Sequence, residues 1–524
     1  MNKKSGPYRN QAVFILAFII STLVLSWPAL INGSGFYFPD TTAYIRSADA
    51  AAAQLTGQTS IWSDRLDLYE PAQSSTSVAE LQPRVGNSNK TELVTPKAIH
   101  PVLLGRSIYY GLAIYPFVVL IGDIGVVFFH AMLVVVCFYL AFVGLGGRRQ
   151  AATAWLLGSV TLLSVITPVA YGTSLLMPDI LSGCAGVLGI VAIVGWRRLL
   201  TIERIALACI LVFSAISHSS HILLLLTLLI ALLPASRFFV GAYKPATVLL
   251  IFAIVSGFAG DALFSAAVSQ QLGYSPIRPP FLTARMIDAG PGLTMLDSQC
   301  GSQKFEACKF RERMPNDSDT FLWSTDKRAG VFAAESNAVQ RRLSMEDSAF
   351  AMASLRHDPI GVVIVTTFAS LRQLTMMKMD IFNAPVGDAS ADAIAGLPRS
   401  VRERIIDSRY VKRSMPVAVV EALSLISVVI AVFYLIIIAI QGRSKVDKLE
   451  RDFVLAALLA MLLILANATI TGALSKPHNR YNIRIVWIIP LFALVIPSVR
   501  YSRRRYPVST LSSITDVTGS GTRK

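Results

Sequence analysis

Charge is scarce in this chain. Only 15% of its 524 residues are Asp, Glu, Lys or Arg, against 53% that are hydrophobic, and the mean hydropathy is +0.56. An ordinary soluble domain carries about a quarter charged residues, so that class is excluded. Acids are scarcer than bases, 32 against 48, which leaves a net charge of +16. A nucleic-acid partner is one reading of the surplus, but the Lys and Arg residues fall mostly in short clusters at the ends of apolar runs. That placement reports orientation in a membrane, so no nucleic acid is expected. Cysteine is rare as well. Cys137, Cys184 and Cys209 lie inside apolar runs and read as inert, membrane-buried thiols. Cys300 and Cys308 lie close together in a polar segment; they are either two free thiols or a disulfide closing a small loop, which requires an oxidising compartment such as the periplasm. No internal repeat is evident.

Apolar runs are what the chain has in abundance. They extend over about 15 to 25 residues, enough for a helix rising ~1.5 Å per residue to cross ~30 Å of hydrocarbon. The expected fold is therefore an all-α polytopic membrane protein. With Lys3, Lys4 and Arg9 on the cytoplasmic side, runs at 11–31, 123–145, 151–168, 180–196, 205–217, 222–235, 246–264, 416–440, 453–473 and 485–499 give about ten spans, both termini inside. Every short basic cluster, from Arg148 with Arg149 to Arg503–Arg505, then lies inside. The first run lacks a small-x-small cleavage site and reads as an uncleaved helix.

The organisation that follows is an N-terminal tail and first helix (1–31), a first periplasmic loop (32–122), a bundle of further spans (123–264), a second periplasmic region (265–415), the last spans (416–499) and a cytoplasmic tail (500–524). Its Ser- and Thr-rich end reads as disordered. Apolar stretches at 107–122 and 359–377 would invert the basic clusters if they crossed, so both are expected as helices in or dipping into the outer interface.

This topology gathers the chemistry on one face, because five of the six histidines (His100, His218, His221, His357 and His478) fall at or beyond the outer boundary. Asp40, after Pro39, opens an Ala-rich helix and shares a face of it with Tyr44; its alternative role is to cap that helix. Asp179, after Pro178, has the same two readings. Ser217-His218-Ser219-Ser220-His221 fits a metal or a phosphate by its His-x-x-His spacing, or simply a polar interfacial turn; no Cys or carboxylate stands nearby to complete a metal shell. Lys476, His478, Arg480, Tyr481 and Arg484 cluster before the last span, against the positive-inside trend, and need an anion: a specific lipid phosphate or bulk anionic headgroups. Arg106 with His100 is a weaker addition to that site. Within the apolar runs, His130 and Glu421 are costly unless they face the bundle interior or a wet cavity.

An Asp just after the first span, a long first loop ending in Gly105-Arg106-Ser107-Ile108-Tyr109-Tyr110, a Pro-Asp at a later outer boundary and an Arg-Tyr near the last one together resemble the GT-C superfamily. These are integral-membrane glycosyltransferases that use polyprenyl-phosphate sugars. The resemblance implies that Asp40 is the general base or orients the acceptor, that Asp179 is a second catalytic carboxylate, and that Arg480 with Lys476 and His478 holds the carrier phosphate as leaving group. It implies three partners: membrane lipid, a polyprenyl-phosphate sugar donor, and a glycan or lipid acceptor. Some members of that superfamily use a divalent metal and others none; no clear ligand set is present. The large second external region is a departure from a compact transferase core. Two other classes compete: a transporter or flippase of lipid-linked sugars, which calls for broken helices and repeat symmetry that are not evident, and a non-enzymatic envelope-assembly protein.

Overall fold

The computed structural model of the chain describes residues 7–63, 102–238, 243–302, 305–383, 397–441 and 447–507. His100 and the Ser- and Thr-rich tail beyond residue 507 lie outside them. The described residues form helices and no strands, with two isolated backbone bridges, Phe36–Leu175 and Leu103–Ile277.

The first apolar run does not continue as one helix to residue 31. It divides into α1 (Pro7–Leu25) and α2 (Trp27–Asn32), because Pro28 has no N–H to bond the Val24 carbonyl and its ring crowds that carbonyl, so the chain breaks at Ser26 and Pro28 sits in the first turn of a new helix. Ser26 Oγ turns back to Thr22 O at 2.8 Å. There follow α3 (Thr41–Thr56), α4 (Ile108–Leu120), α5 (Asp123–Gly144), α6 (Ala152–Ile166), α7 (Val169–Ser174), α8 (Ile180–Gly195), α9 (Thr201–Ser217), α10 (Ser219–Phe238) and α11 (Tyr243–Leu272). The second polar region supplies α12 (Phe281–Ala289), α13 (Pro291–Gln299), α14 (Ser318–Trp323), α15 (Asn337–His357), α16 (Pro359–Thr375) and α17 (Arg399–Ile406). The chain closes with α18 (Val417–Gln441), α19 (Lys448–Leu474), a single turn α20 (Arg480–Ile483) and α21 (Ile488–Arg505).

Among the described residues six helical stretches are long and apolar enough to cross a membrane: Asp123–Gly144, Ile180–Arg198, Tyr243–Leu272, Val417–Gln441, Lys448–Leu474 and Arg480–Arg505. Gln11–Leu25, Ile108–Leu120, Ser219–Pro234 and Pro359–Thr375 are apolar but shorter. The chain is thus an all-α protein of multi-pass membrane character.

At the centre stands α8, buried along its whole length. Gly183, Gly186 and Gly189 repeat along it and admit large neighbours: a Cβ on Gly183 would lie 2.3 Å from the Trp487 ring, and one on Gly189 2.4 Å from Leu228. Small residues let neighbouring helices approach in this way where lipid offers no hydrophobic drive between helices. At one end of the bundle ion pairs join the helices: Arg149 to Glu203 at 2.6 Å, Arg198 to Asp452 and Arg500 to Glu450 at 2.5 Å. The candidate site lies at the opposite end.

A second, smaller core lies in the second polar region, where Phe321, Phe332, Phe350, Met295 and Leu296 are buried together. Cys300 and Cys308 are joined by a disulfide, Cα to Cα 5.3 Å. This unit is fastened to the bundle on two sides. Leu104 N–H donates to Ile277 O at 2.8 Å and Ile277 N–H to Val102 O at 2.9 Å, while Arg285 Nη2 donates to Gly472 O at 3.0 Å. Helix α16 lies against α19, its Ser370 backbone 2.8 Å from where a Cβ of Gly472 would stand, and turns Ile360 (72% exposed) and Phe368 (68%) outward. Of the free thiols, Cys137 and Cys184 are buried, whereas Cys209 is on the surface of α9.

Candidate functional site

A backbone seam brings the two acidic positions together. Phe36 N–H donates to Ser174 O at 2.9 Å and Leu176 N–H donates to Phe36 O at 2.9 Å, with Thr41 Oγ1 adding a bond to Leu176 O at 3.1 Å. The start of α3 therefore sits against the start of α8, and Asp40 and Asp179 both direct their field at the Tyr44 hydroxyl. Each aspartate occupies the position from which a carboxylate caps a helix, and neither side chain does so. Both are aimed at arginine.

Asp40 Oδ1 accepts from Arg106 Nε at 3.0 Å and also from Nη2. Its Oδ2 has no hydrogen-bond partner among the described residues, and the side chain is 26% exposed. The other face of Arg106 lies 4.8 Å from the Trp323 ring of the smaller unit. Asp179 stands 3.5 Å from Arg480 Nε, an ion pair without a formed hydrogen bond. Arg480 covers Phe38 at 4.1 Å, and its Nε and Nη1 are buried without hydrogen-bond partners.

One turn further along, Arg484 is only 2% exposed. It donates to Asn467 Oδ1 at 2.8 and 3.2 Å and to Ser220 Oγ at 3.2 Å, all neutral acceptors. Both guanidiniums lie over Tyr481, 5.3 and 5.0 Å from its ring centre. The cluster therefore holds three guanidiniums (Arg106, Arg480, Arg484) against two carboxylates (Asp40, Asp179). A buried charge without a counter-ion is costly, so the site is one negative charge short.

The two histidines of the His-x-x-His motif line the same cluster, their ring centres 5.3 Å apart. His221 Nδ1 faces Ser214 O at 2.7 Å, which assigns the proton to Nδ1 and leaves Nε2 an acceptor, buried and unpartnered. His218 Nδ1 accepts from Ser220 N and Oγ at 3.2 and 2.9 Å. Burial and the Arg484 charge push the His218 imidazole down to about 4, so it is neutral at physiological pH. Burial, then Asp40 and Asp179, push the Tyr44 phenol well up, so it stays a hydroxyl. Neighbouring Tyr110 bonds His130 Nε2 at 3.0 Å, and His130 Nδ1 bonds Thr173 O at 3.1 Å, which partners both buried groups. Glu421 accepts the Met379 N–H at 2.8 Å.

The structure thus brings Asp40, Tyr44, Arg106, Asp179, His218, His221, His478, Arg480 and Tyr481 together, the His478 ring lying 6.5 Å from Phe38 and 6.2 Å from Tyr481, and sets one expected member apart. Lys476 is taken by Asp317 and, at 3.5 Å, by Asp319 of the smaller unit. His478 accepts the Arg480 N–H at Nδ1, 3.1 Å, and shapes the turn; burial and Arg480 push its imidazole below the usual range. Asn467, Phe38 and Trp323 belong to the site and were not expected there. A lone Asn in an apolar helix was the available signal for the first. Among the described residues, no group of three or more His, Cys, Asp and Glu side chains is placed to hold a metal ion. Comparison with protein-family models, curated proteins and solved structures gives no match.

Proposed function

We propose that this protein is a membrane glycosyltransferase that moves a sugar from a polyprenyl-phosphate donor to a cell-envelope glycan or lipid acceptor. The observation that carries the reading is the missing negative charge beside Arg480 and Arg484, next to a carboxylate with one open oxygen. A phosphodiester supplies that single charge, and the guanidinium fork fits its oxygens.

The chemistry follows from the positions. Asp40 Oδ2 takes the proton of an acceptor hydroxyl as its oxygen attacks the anomeric carbon. The bond from that carbon to the phosphate oxygen breaks, and the departing phosphate monoester gains a second negative charge beside Arg480 and Arg484. Charge that grows in the transition state is where fixed cations accelerate a reaction. Asp179 is reassigned from catalysis to positioning, since it orients Arg480. Tyr44 stays protonated and serves as a donor.

In this reading the site faces the periplasm from a bacterial inner membrane crossed about ten times, with both termini cytoplasmic and the Cys300–Cys308 disulfide in an oxidising space. The ion pairs at the cytoplasmic end suit a bundle that performs chemistry on one face. The test is transfer by purified protein supplied with polyprenyl-phosphate sugars and envelope acceptors. Wild type should form a new glycosidic bond and Asp40→Asn should not; movement of the sugar lipid without bond formation would overturn the assignment in favour of transport.

A further inference from the structure

The end of the bundle that carries Asp40 also carries a basic arm that the site does not use. Residues 399–413, from α17 onward, hold six cations (Arg399, Arg402, Arg404, Arg409, Lys412 and Arg413) against two acids (Glu403 and Asp407). Val401 and Ile405 are buried, Tyr410 N–H donates to Asn32 Oδ1 at 2.8 Å, and the Tyr410 ring stands 6.0 Å from that of Phe36. These contacts fix the arm beside the seam of Phe36 and Leu175. The apolar helix α18 begins at Val417, just after Arg413, so the arm sits where that helix enters the membrane.

The acids of the arm do not answer its charge. Arg399 pairs with Glu403 at 2.9 Å and Lys412 with Asp407 at 3.6 Å, both on the surface, where such pairs contribute little. Arg404 reaches Asp123 at 3.9 Å. Arg402, Arg409 and Arg413 have no carboxylate partner among the described residues. One closed turn gathers three of the cations: Lys412 N–H donates to Ser408 O at 3.2 Å, Arg413 N–H to Tyr410 O at 3.2 Å and Ser414 N–H to Arg409 O at 3.0 Å. Arg413 closes it at a φ of 52°, a left-handed conformation that strains any residue with a Cβ. Glycine would relax the turn and lose the charge. Apolar side chains lie exposed nearby: Ile406 on the arm, and Leu120 (81%) and Ile121 (60%) just before Asp123. Charge that sets orientation belongs on one side of a membrane, and the opposite end of the bundle already holds Arg503, Arg504 and Arg505. The charge of the arm therefore has another cause.

We propose that the 399–413 arm is a docking surface for anionic phospholipid headgroups of the leaflet at this end of the bundle. Arg409, Lys412 and Arg413 bind the headgroup phosphates, while Leu120, Ile121 and Ile406 enter the acyl boundary beside them. Each cation held at such a surface adds attraction to acidic lipid, and exposed Leu and Ile gain by burial among the acyl chains. A soluble polyanion would answer the charge and leave the apolar side chains uncovered. The surface does not depend on the transferase reading. It does touch the frame of the site, since Asp123, which faces Arg404, accepts the Gly35 N–H at 2.9 Å, one residue before Phe36.

Two photoactivatable lipids, phosphatidylglycerol and phosphatidylcholine, each with a diazirine close to the headgroup, test this on the full-length protein in phosphatidylcholine nanodiscs. Crosslinked peptides are read by mass spectrometry. The phosphatidylglycerol probe should label residues 399–413 at least about tenfold more than the phosphatidylcholine probe, and excess inorganic phosphate should not displace it. The triple variant Arg409→Gln/Lys412→Gln/Arg413→Gln should lose that preference, with labelling of the peptide holding Arg503–Arg505 at the opposite end unchanged. Arg409→Gln and Lys412→Gln alone should each lower the preference about threefold or more, so the result does not rest on one variant folding. Equal labelling by the two lipids, a preference that survives in the variants, or displacement by inorganic phosphate would each overturn the proposal. Capture of wild type but not the triple variant by dextran sulfate, without any lipid preference, would overturn it in favour of an acidic glycan.

Discussion

Arg484 directs two of its nitrogens at a single neutral oxygen, Asn467 Oδ1, at 2.8 and 3.2 Å, and no carboxylate pairs with it among the described residues. Buried guanidiniums are normally matched by charge; removing an unmatched one relieves a desolvation cost of several kcal/mol, which offsets the ~1–3 kcal/mol of leaving Asn467 Oδ1 without donors. Arg484→Met should therefore leave the melting temperature of the free protein in detergent unchanged or higher, while isoprenyl phosphate binding weakens about tenfold or more. Asn467→Leu strips the guanidinium of its main acceptor and should cost about 1.5–3 kcal/mol. A large loss of stability in Arg484→Met with binding intact would make the arginine a structural residue.

The two aspartates should separate in kinetics. Asp40 has an oxygen open to an acceptor, so Asp40→Asn should lower kcat by about 10²–10⁴-fold with donor KM nearly constant, the span associated with loss of a positioned base. Asp179 acts through Arg480, and Asp179→Asn should raise donor KM about tenfold with a much smaller change in kcat. Similar kcat losses in both variants would contradict the positioning role.

The limits of the apolar helices were legible because length and hydropathy are local properties: a run read at 416–440 folds as Val417–Gln441, and one read at 453–473 lies inside Lys448–Leu474. What the sequence could not convey is direction. Lys476 and Arg480 are four residues apart, yet the non-helical stretch between them sends Lys476 to Asp317 and leaves Arg480 with Asp179. Local sequence offers Asp40 as a cap as readily as a site carboxylate, because caps are set locally; its partner, Arg106, comes from a distant segment. The seam of Phe36 against Leu175 is a long-range backbone pairing with no local signature. The smaller core was hidden for another reason: apart from α15, which gives it Leu343 and Phe350, it is built from helices of six to nine residues separated by polar turns.

Packing around α8 gives a prediction independent of function. A methyl added at Gly183 meets the Trp487 ring at 2.3 Å, and Trp487 is fully buried, so the ring has nowhere to retreat. Gly183→Ala should destabilise the detergent-solubilised protein by about 1–3 kcal/mol, the cost of overpacking a filled core. Gly158→Ala, where nothing lies within 4 Å of the added carbon, is the matched control and should leave the melting temperature unchanged or slightly raised. Equal behaviour of the two would mean that Gly183 and Trp487 are not in close contact.

His218 sets a pH dependence whose sign can be worked out. In the folded protein its imidazole titrates at about 4, lowered by burial and then by Arg484, whereas in the unfolded chain a histidine titrates near 6.5. Between those values the unfolded chain holds a proton that the folded protein does not, so acid favours unfolding. The stabilisation is complete above pH ~6.5 and disappears progressively down to pH ~4, worth up to about 3 kcal/mol for this one site. His218→Asn keeps an acceptor close to the Nδ1 position for Ser220 and removes the titration. Its melting temperature should fall less steeply than that of wild type between pH 6.5 and 4, and the two profiles should run parallel above pH 7. Parallel profiles over the whole range would show that His218 takes up its proton in the folded state as readily as in the unfolded chain, and that the cationic field assigned to Arg484 does not reach it.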